Sequence, residues 1–132
     1  MAVRTLDQFL ADLNARSEYI KFRSSKGVVV SVYVRKGSMN IKGMHYENVL
    51  QRANTSIQTA RYARKATYDQ PLCKSGAYRE LDLFMFEQAK NHGMNGVYVE
   101  NVLNPMLPDV LLRYGYEEVE PICRCFWKPV DN

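Results

Sequence analysis

The stretch that most constrains this chain is residues 96–119, GVYVENVLNPMLPDVLLRYGYEEV. Val97, Tyr98, Val99, Asn101 and Val102 read as a short strand rich in β-branched and aromatic residues. Asn104 and Pro105 then open a helix in the order that helix starts favour: an amide side chain that accepts from free backbone N–H groups, then a residue whose φ is preset. Leu107, Val110, Leu111 and Tyr114 recur at i, i+3, i+4 and i+7, one apolar face, and Gly115 supplies a left-handed stop. A strand, a short capped helix and a glycine-aromatic exit within one unit commit the chain to a layered α and β architecture.

The segments before it extend that reading. Leu81, Phe84, Met85, Gln88 and His92 repeat at helical spacing over residues 77–92, with Leu83 and Phe86 widening the apolar arc. Gly93 ends this helix and Asn95-Gly96 turns the chain. A helix joining a strand over 45–58 to the strand at Val97 predicts a right-handed crossover, hence a locally parallel pair. At the N-terminus Thr5 and Gln8 form a capping box ahead of an apolar stripe of Leu6, Phe9, Leu10 and Leu13 that ends near residues 14–17. Strands over 19–22 and 28–34 flank a turn at Ser24-Ser25-Lys26-Gly27, and a further strand is expected after Lys36-Gly37-Ser38. Within 45–58, Val49, Gln51, Ala53, Thr55 and Ile57 alternate with Leu50, Arg52, Asn54 and Ser56. Neither face is purely apolar, which suits a strand buried on one side that lines a cleft on the other, or an edge strand with a polar outer face. Residues 59–75 lack a period and read as a long loop with a helical turn over 60–66. The expected fold is α/β (α+β): a mixed, mostly antiparallel twisted sheet with a central parallel pair, flanked by helices, in one domain spanning 1–132.

Composition narrows the setting. Hydrophobic residues at 46% and charged residues at 24% are ordinary for a soluble globular chain of 132 residues. No apolar run approaches the roughly 18 residues of a membrane span, and residues 1–10 lack the apolar centre of a signal peptide, so a cytoplasmic location without membrane partners is expected. Of the three cysteines, Cys73 stands apart, while Cys123 and Cys125 in ICRCF would share one face of a terminal strand. No His or acidic cluster accompanies them at ligand spacing, so they are expected as reduced core residues and no metal is expected. The formal charge is +4, and Arg61, Arg64, Lys65, Lys74 and Arg79 concentrate it against Asp69 and Glu80 alone. Such a stretch suits polyphosphate, nucleic acid or an acidic protein surface; a solvated loop with no partner stays open beside these. A terminal strand over 122–128 could pair across a homodimer.

Residues 53–127 resemble the GNAT superfamily of acyl-CoA-dependent N-acetyltransferases. The family pattern of a strand, an asparagine, a short helix and a Gly-aromatic pair is matched by Asn104 and Gly115-Tyr116. The family's loop of the form Gln/Arg-x-x-Gly-x-Gly/Ala, which precedes the central helix, falls on Cys73-Lys74-Ser75-Gly76-Ala77-Tyr78. Here Cys73 replaces Gln or Arg, and Tyr78 replaces the second small residue. Ala53-Asn54-Thr55-Ser56-Ile57 and Asn101-Val102-Leu103-Asn104-Pro105 are similar to motifs of a bacterial or bacteriophage subgroup whose loop reads Gly-x-aromatic. The resemblance implies acetyl-CoA as acyl donor. Its pyrophosphate would lie at Lys74, Ser75, Gly76, Ala77, Tyr78 and Arg79, where free amides and the positive helix end attract phosphate. Thr55 and Ile57 would offer backbone N–H to the thioester carbonyl, and Asn104 would flank the pantetheine arm.

Acetyl transfer to an amine also needs a base for the amine and a proton for the departing thiolate. The family's usual acid, a tyrosine seven residues after the Asn, is Leu111 in this chain. Tyr114, one turn on, is the candidate replacement, with a core or cleft-wall role as the alternative. Glu100 is the candidate base, directly or through water; the alternative is an exposed strand carboxylate. His45 is a weaker candidate, and His92 reads as a helix C-terminal cap. Cys73 has no His partner placed by sequence and is not expected to carry the acyl group. Residues 58–75 make the link from strand to loop longer than the family's: either the strand runs on past Ile57, or an insertion overhangs the cleft and offers Arg61, Arg64 or Lys65 to CoA phosphates or to the acceptor. The implied function is an acyl-CoA-dependent N-acyltransferase that moves acetyl directly to an amine on a small molecule or protein. A catalytically inactive GNAT-like binding or structural module, for example in a phage, is the alternative, with a nucleic-acid binder ranked third.

Overall fold

A computed structural model describes residues 5–27, 29–57, 76–100, 107–120 and 124–130. Chain order is α1 (Leu6–Ala11), β1 (Ser17–Arg23), β2 (Val29–Ile41), β3 (Met44–Ile57), α2 (Ala77–Asn91), β4 (Gly96–Val99), α3 (Leu107–Arg113), β5 (Glu117–Glu120) and β6 (Cys125–Pro129). The strands form one six-stranded sheet in the order β1-β2-β3-β4-β6-β5. Among the described residues only the β3–β4 pair is parallel, so the expected mixed, mostly antiparallel sheet flanked by helices is the architecture found.

Local rules account for most of the elements. Thr5 caps α1 through its hydroxyl to Gln8 N (3.1 Å), and the Gln8 side chain accepts from Thr5 N (2.9 Å). The helix stops earlier than its apolar stripe predicts. Asp12 is extended, and Lys36 of β2 donates to the carbonyls of Phe9, Leu10 and Asp12 at the helix end, where fewer backbone N–H groups remain to share them. Leu13 therefore lies past the helix and is 86% exposed instead of buried. On α2 the stripe is Tyr78, Leu81, Met85 and Ala89, and Leu83, expected to widen it, faces outward. Gly93, with φ of 69°, ends α2 as expected. His92 occupies the C-cap, and its Nε2 meets Asp7 Oδ1 at 2.8 Å, which ties α2 to α1.

The hairpins differ from the sequence reading in a definite way. β1 and β2 join through Gly27, at φ of 82°. Lys36-Gly37-Ser38 does not break the chain: β2 runs through it, and the register with β3 shifts between Gly37 and Met39. Glycine here marks a bulge inside a strand and not its end. The reversal comes at Lys42-Gly43, where both residues have positive φ (51° and 81°) and Ile41 faces Met44 across a two-residue turn. Near the C-terminus Arg124 takes φ of 54°. That left-handed residue interrupts the alternation expected through ICRCF, and β6 begins only at Cys125.

The pleat sorts the core into two layers. Val30, Val32 and Val34 of β2, Leu50 of β3, Val97 and Val99 of β4 and Phe126 of β6 face Leu6 and Phe9 of α1, Leu81 and Met85 of α2 and Leu111 of α3. Val49, Tyr98, Cys125 and Trp127 alternate onto the other face, where Tyr46 packs on Trp127 with ring centroids 5.0 Å apart. β4, buried throughout, supplies both layers. Gly96, expected in a turn, is instead its first residue, and its φ lies outside the left-handed region. An added Cβ there would meet Lys128 O and Trp127 Cη2 at 2.5 Å, so close strand approach explains this glycine.

Candidate functional site

β3 and β4 run side by side for only a short distance. Their pairs are Val49–Gly96, Leu50–Val97, Gln51–Tyr98 and Arg52–Val99, with Glu100 N donating to Arg52 O at 3.2 Å just beyond. β3 then continues to Ile57 along β2, and among the described residues nothing pairs with its β4 side past that point. Among the described residues, pairing of the two strands thus ends at a fork after Arg52 and Val99. Thr55 and Ile57, expected to face a thioester, lie in this freed segment of β3.

α2 starts over the fork. Gly76 precedes it at φ 75° and ψ 3°, a left-handed conformation that glycine adopts without penalty, and no side chain caps the helix there. Among the described residues, nothing lies within 4 Å of where a Cβ at Gly76 would stand. Of the residues expected around a pyrophosphate, Ala77 and Tyr78 are buried and Arg79 is exposed; Lys74, Ser75 and Asn104 lie outside the described residues, as do the basic stretch 59–73 and Cys123.

Beneath the first turns of α2 sits a buried polar cluster. Arg52 Nη2 donates to Asp82 Oδ1 at 2.9 Å and to the Tyr78 hydroxyl at 3.2 Å, and the Tyr116 hydroxyl donates to the same Asp82 oxygen at 2.7 Å. Arg52 and Asp82 are each 1% exposed. The guanidinium also faces the rings of Tyr78 (5.1 Å) and Tyr116 (5.8 Å). Burial alone would pull the Arg52 pKa down; Tyr78, Tyr116 and Asp82 outweigh it, and the net direction is upward, so the guanidinium stays charged. Burial, with Asp82 as acceptor, holds the Tyr116 pKa well above 10 against the opposing pull of Arg52. Arg52 Nε has no hydrogen-bond partner. The sequence carried a signal for this cluster: Arg52 shares a strand face with Leu50, and Asp82 falls within the buried stripe of α2. A cation and an acid that both lie on core-facing positions require each other.

The proposed acid and base take up different surroundings. Leu111, where the family's tyrosine would stand, is fully buried in the helix-side core. Tyr114 is half-buried, its ring stacked on Tyr78 at 6.3 Å and faced by the Arg79 guanidinium at 5.3 Å. It lines a cavity of about 160 Å³ with Arg79, Asp82, Leu83, Arg113 and Lys128. Glu100 follows the last residue of β4, a quarter exposed, with Arg35 Nη2 on its Oε1. Val34 and Lys36 point toward α1, so Arg35 between them points to the opposite face, and Glu100 joins it there. Glu100 and Tyr114 therefore belong to opposite faces of the sheet. His45 lies at the other end of β3, its Nδ1 on Asn40 Oδ1 at 2.8 Å, away from the fork. Among the described residues no group of three or more His, Cys, Asp or Glu side chains could hold a metal ion, and no helix is long and apolar enough to cross a membrane.

No protein-family model, curated protein or solved structure matches the chain. The functional reading consequently rests on the fork, the helix start above it and the side chains on either face.

Proposed function

We propose that this chain is a GNAT-type acyl-CoA-dependent N-acyltransferase that transfers acetyl from acetyl-CoA directly to an amine, on a small molecule or a protein, in the cytoplasm. The observation that carries the reading is the parallel β3–β4 pair that, among the described residues, ends at Arg52 and Val99, with α2 starting beside it at a left-handed Gly76. The exchanged order of the last two strands, β4-β6-β5, accompanies it.

The residues present suit such a donor. The left-handed Gly76, with no described residue crowding it, the positive end of the fifteen-residue α2 and the Arg79 side chain favour a pyrophosphate. The freed backbone of β3 around Thr55 and Ile57 offers N–H groups to a developing oxyanion. When bound, acetyl-CoA supplies an activated acyl carbon and a thiolate leaving group. On the face opposite α2, Glu100 takes the proton that the amine loses as its nitrogen bonds to that carbon. On the α2 face, Tyr114 hands a proton to the sulfur as the C–S bond breaks. Transfer through the fork separates acceptor and donor on the two faces of the sheet.

A second reading, a GNAT-like module that binds without turnover, is favoured by two specific features: the apolar, fully buried Leu111 and the Arg35 guanidinium already on Glu100. Titration calorimetry with acetyl-CoA, on the wild type and on Gly76→Asp, decides whether a donor site exists. Saturable binding lost in the variant supports both readings; no binding to the wild type removes them. Thiol release over an amine panel then separates the two. Turnover that falls in Glu100→Gln and Tyr114→Phe supports the enzyme, and unchanged rates in both variants reject the assigned roles.

A further inference from the structure

We infer that the cavity between the start of α2 and the end of α3 is a binding site for a phosphate group, held by Arg79, Arg113 and Lys128. These three cations line one cavity of about 160 Å³. The carboxylate that shares it, Asp82, is nearly solvent-inaccessible, and its Oδ1 already accepts from both Arg52 and Tyr116. Among the described residues no ion pair joins any of the three cations to an acid. Glu80, adjacent to Arg79, is turned away and accepts from Ser25 N (2.9 Å) and Ser25 Oγ (3.0 Å).

Two of the cations are held in place by rings instead of by counter-charges. The Arg79 guanidinium lies over Tyr114, and Lys128 Nζ lies 4.3 Å from the Phe86 centroid and 5.8 Å from that of Tyr116. A ring orients a cation and leaves its charge available. The position of Arg79 sharpens the argument, because it stands in the first turn of α2, where the helix dipole disfavours a cation and favours an anion. Arg113 sits in the last turn of α3, where the dipole alone would welcome it, so it carries less weight. Three converging positive groups, two of them guanidinium forks, match the oxygens and the charge of a phosphate monoester dianion.

The inference does not depend on the acyltransferase reading. Inorganic phosphate is titrated into the wild type by calorimetry, with chloride at the same ionic strength as the control. Saturable binding to phosphate that chloride does not reproduce is expected, weakened by about tenfold or more in Arg79→Met and in Lys128→Met. Lys128→Arg should restore it, which separates lost charge from lost packing, and circular dichroism checks that each variant is folded. Phosphate that binds no better than chloride overturns the site, as does undiminished binding in both methionine variants. Retention of random-sequence DNA without any response to phosphate overturns it too, in favour of a polyanion surface. Competition with acetyl-CoA and with its form lacking the 3′-phosphate identifies the source. Displacement by the phosphorylated form alone assigns the coenzyme's terminal phosphate, displacement by both forms its pyrophosphate, and displacement by neither a separate phosphate ligand; all three support the site. A wild type that binds phosphate and not acetyl-CoA would reject the acyltransferase reading and leave this site standing.

Discussion

Arg52 and Asp82, on β3 and α2, meet at 2.9 Å with neither side chain more than 2% exposed. The pair ties the start of α2 to the strand residue at which the fork opens, and Tyr78 and Tyr116 enclose it. Two ions removed from water are costly, so the cluster serves geometry more than net stability.

Removing one partner should therefore be severe. Asp82→Ala leaves Arg52 charged and unpaired in the core, and a loss of about 3–5 kcal/mol is expected by urea denaturation. Arg52→Met combined with Asp82→Leu should recover most of that loss, less the cost of a Tyr116 hydroxyl left without its acceptor. A double variant no more stable than Asp82→Ala would show that the pair contributes more than mutual neutralisation.

Alkaline pH should expose Tyr116. Its pKa in the folded chain lies above the ordinary value of 10.0. The unfolded chain thus releases the proton first, and the stabilisation present below pH 10 declines as pH rises through the folded value. Spectrophotometric titration should find a tyrosine that ionises only on unfolding, and Tyr116→Phe should flatten the alkaline limb of the stability curve.

Gly96→Ala should cost about 1–3 kcal/mol, because the new methyl group runs into β6 backbone and the Trp127 ring. The lost stability should appear as a lower midpoint with an unchanged denaturant slope. Near-neutral behaviour would mean that β4 and β6 can move apart.

Thr5→Ala should cost about 1 kcal/mol by removing the cap of α1, a six-residue helix that carries Leu6, Phe9 and Leu10 into the core. Thermal unfolding measures it, and Thr5→Ser should restore the wild-type midpoint.

What was legible in the sequence was what near neighbours decide. The capping box at Thr5 and Gln8, the span of α2 with its stop at Gly93, and the parallel β3–β4 pair follow from hydrogen bonds, φ preferences and connection rules within a few turns of chain. Gly37 and Gly96 show the edge of that range: the same residue type marks a turn, a bulge or a close strand contact, and only the partner strand tells which. Tertiary structure alone joined Arg52 to Asp82 and Tyr116, left Leu13 in solvent, and set Glu100 and Tyr114 on opposite faces of the sheet. Each of these depends on register and on which face a pleat presents, and a shift of one residue would reverse it.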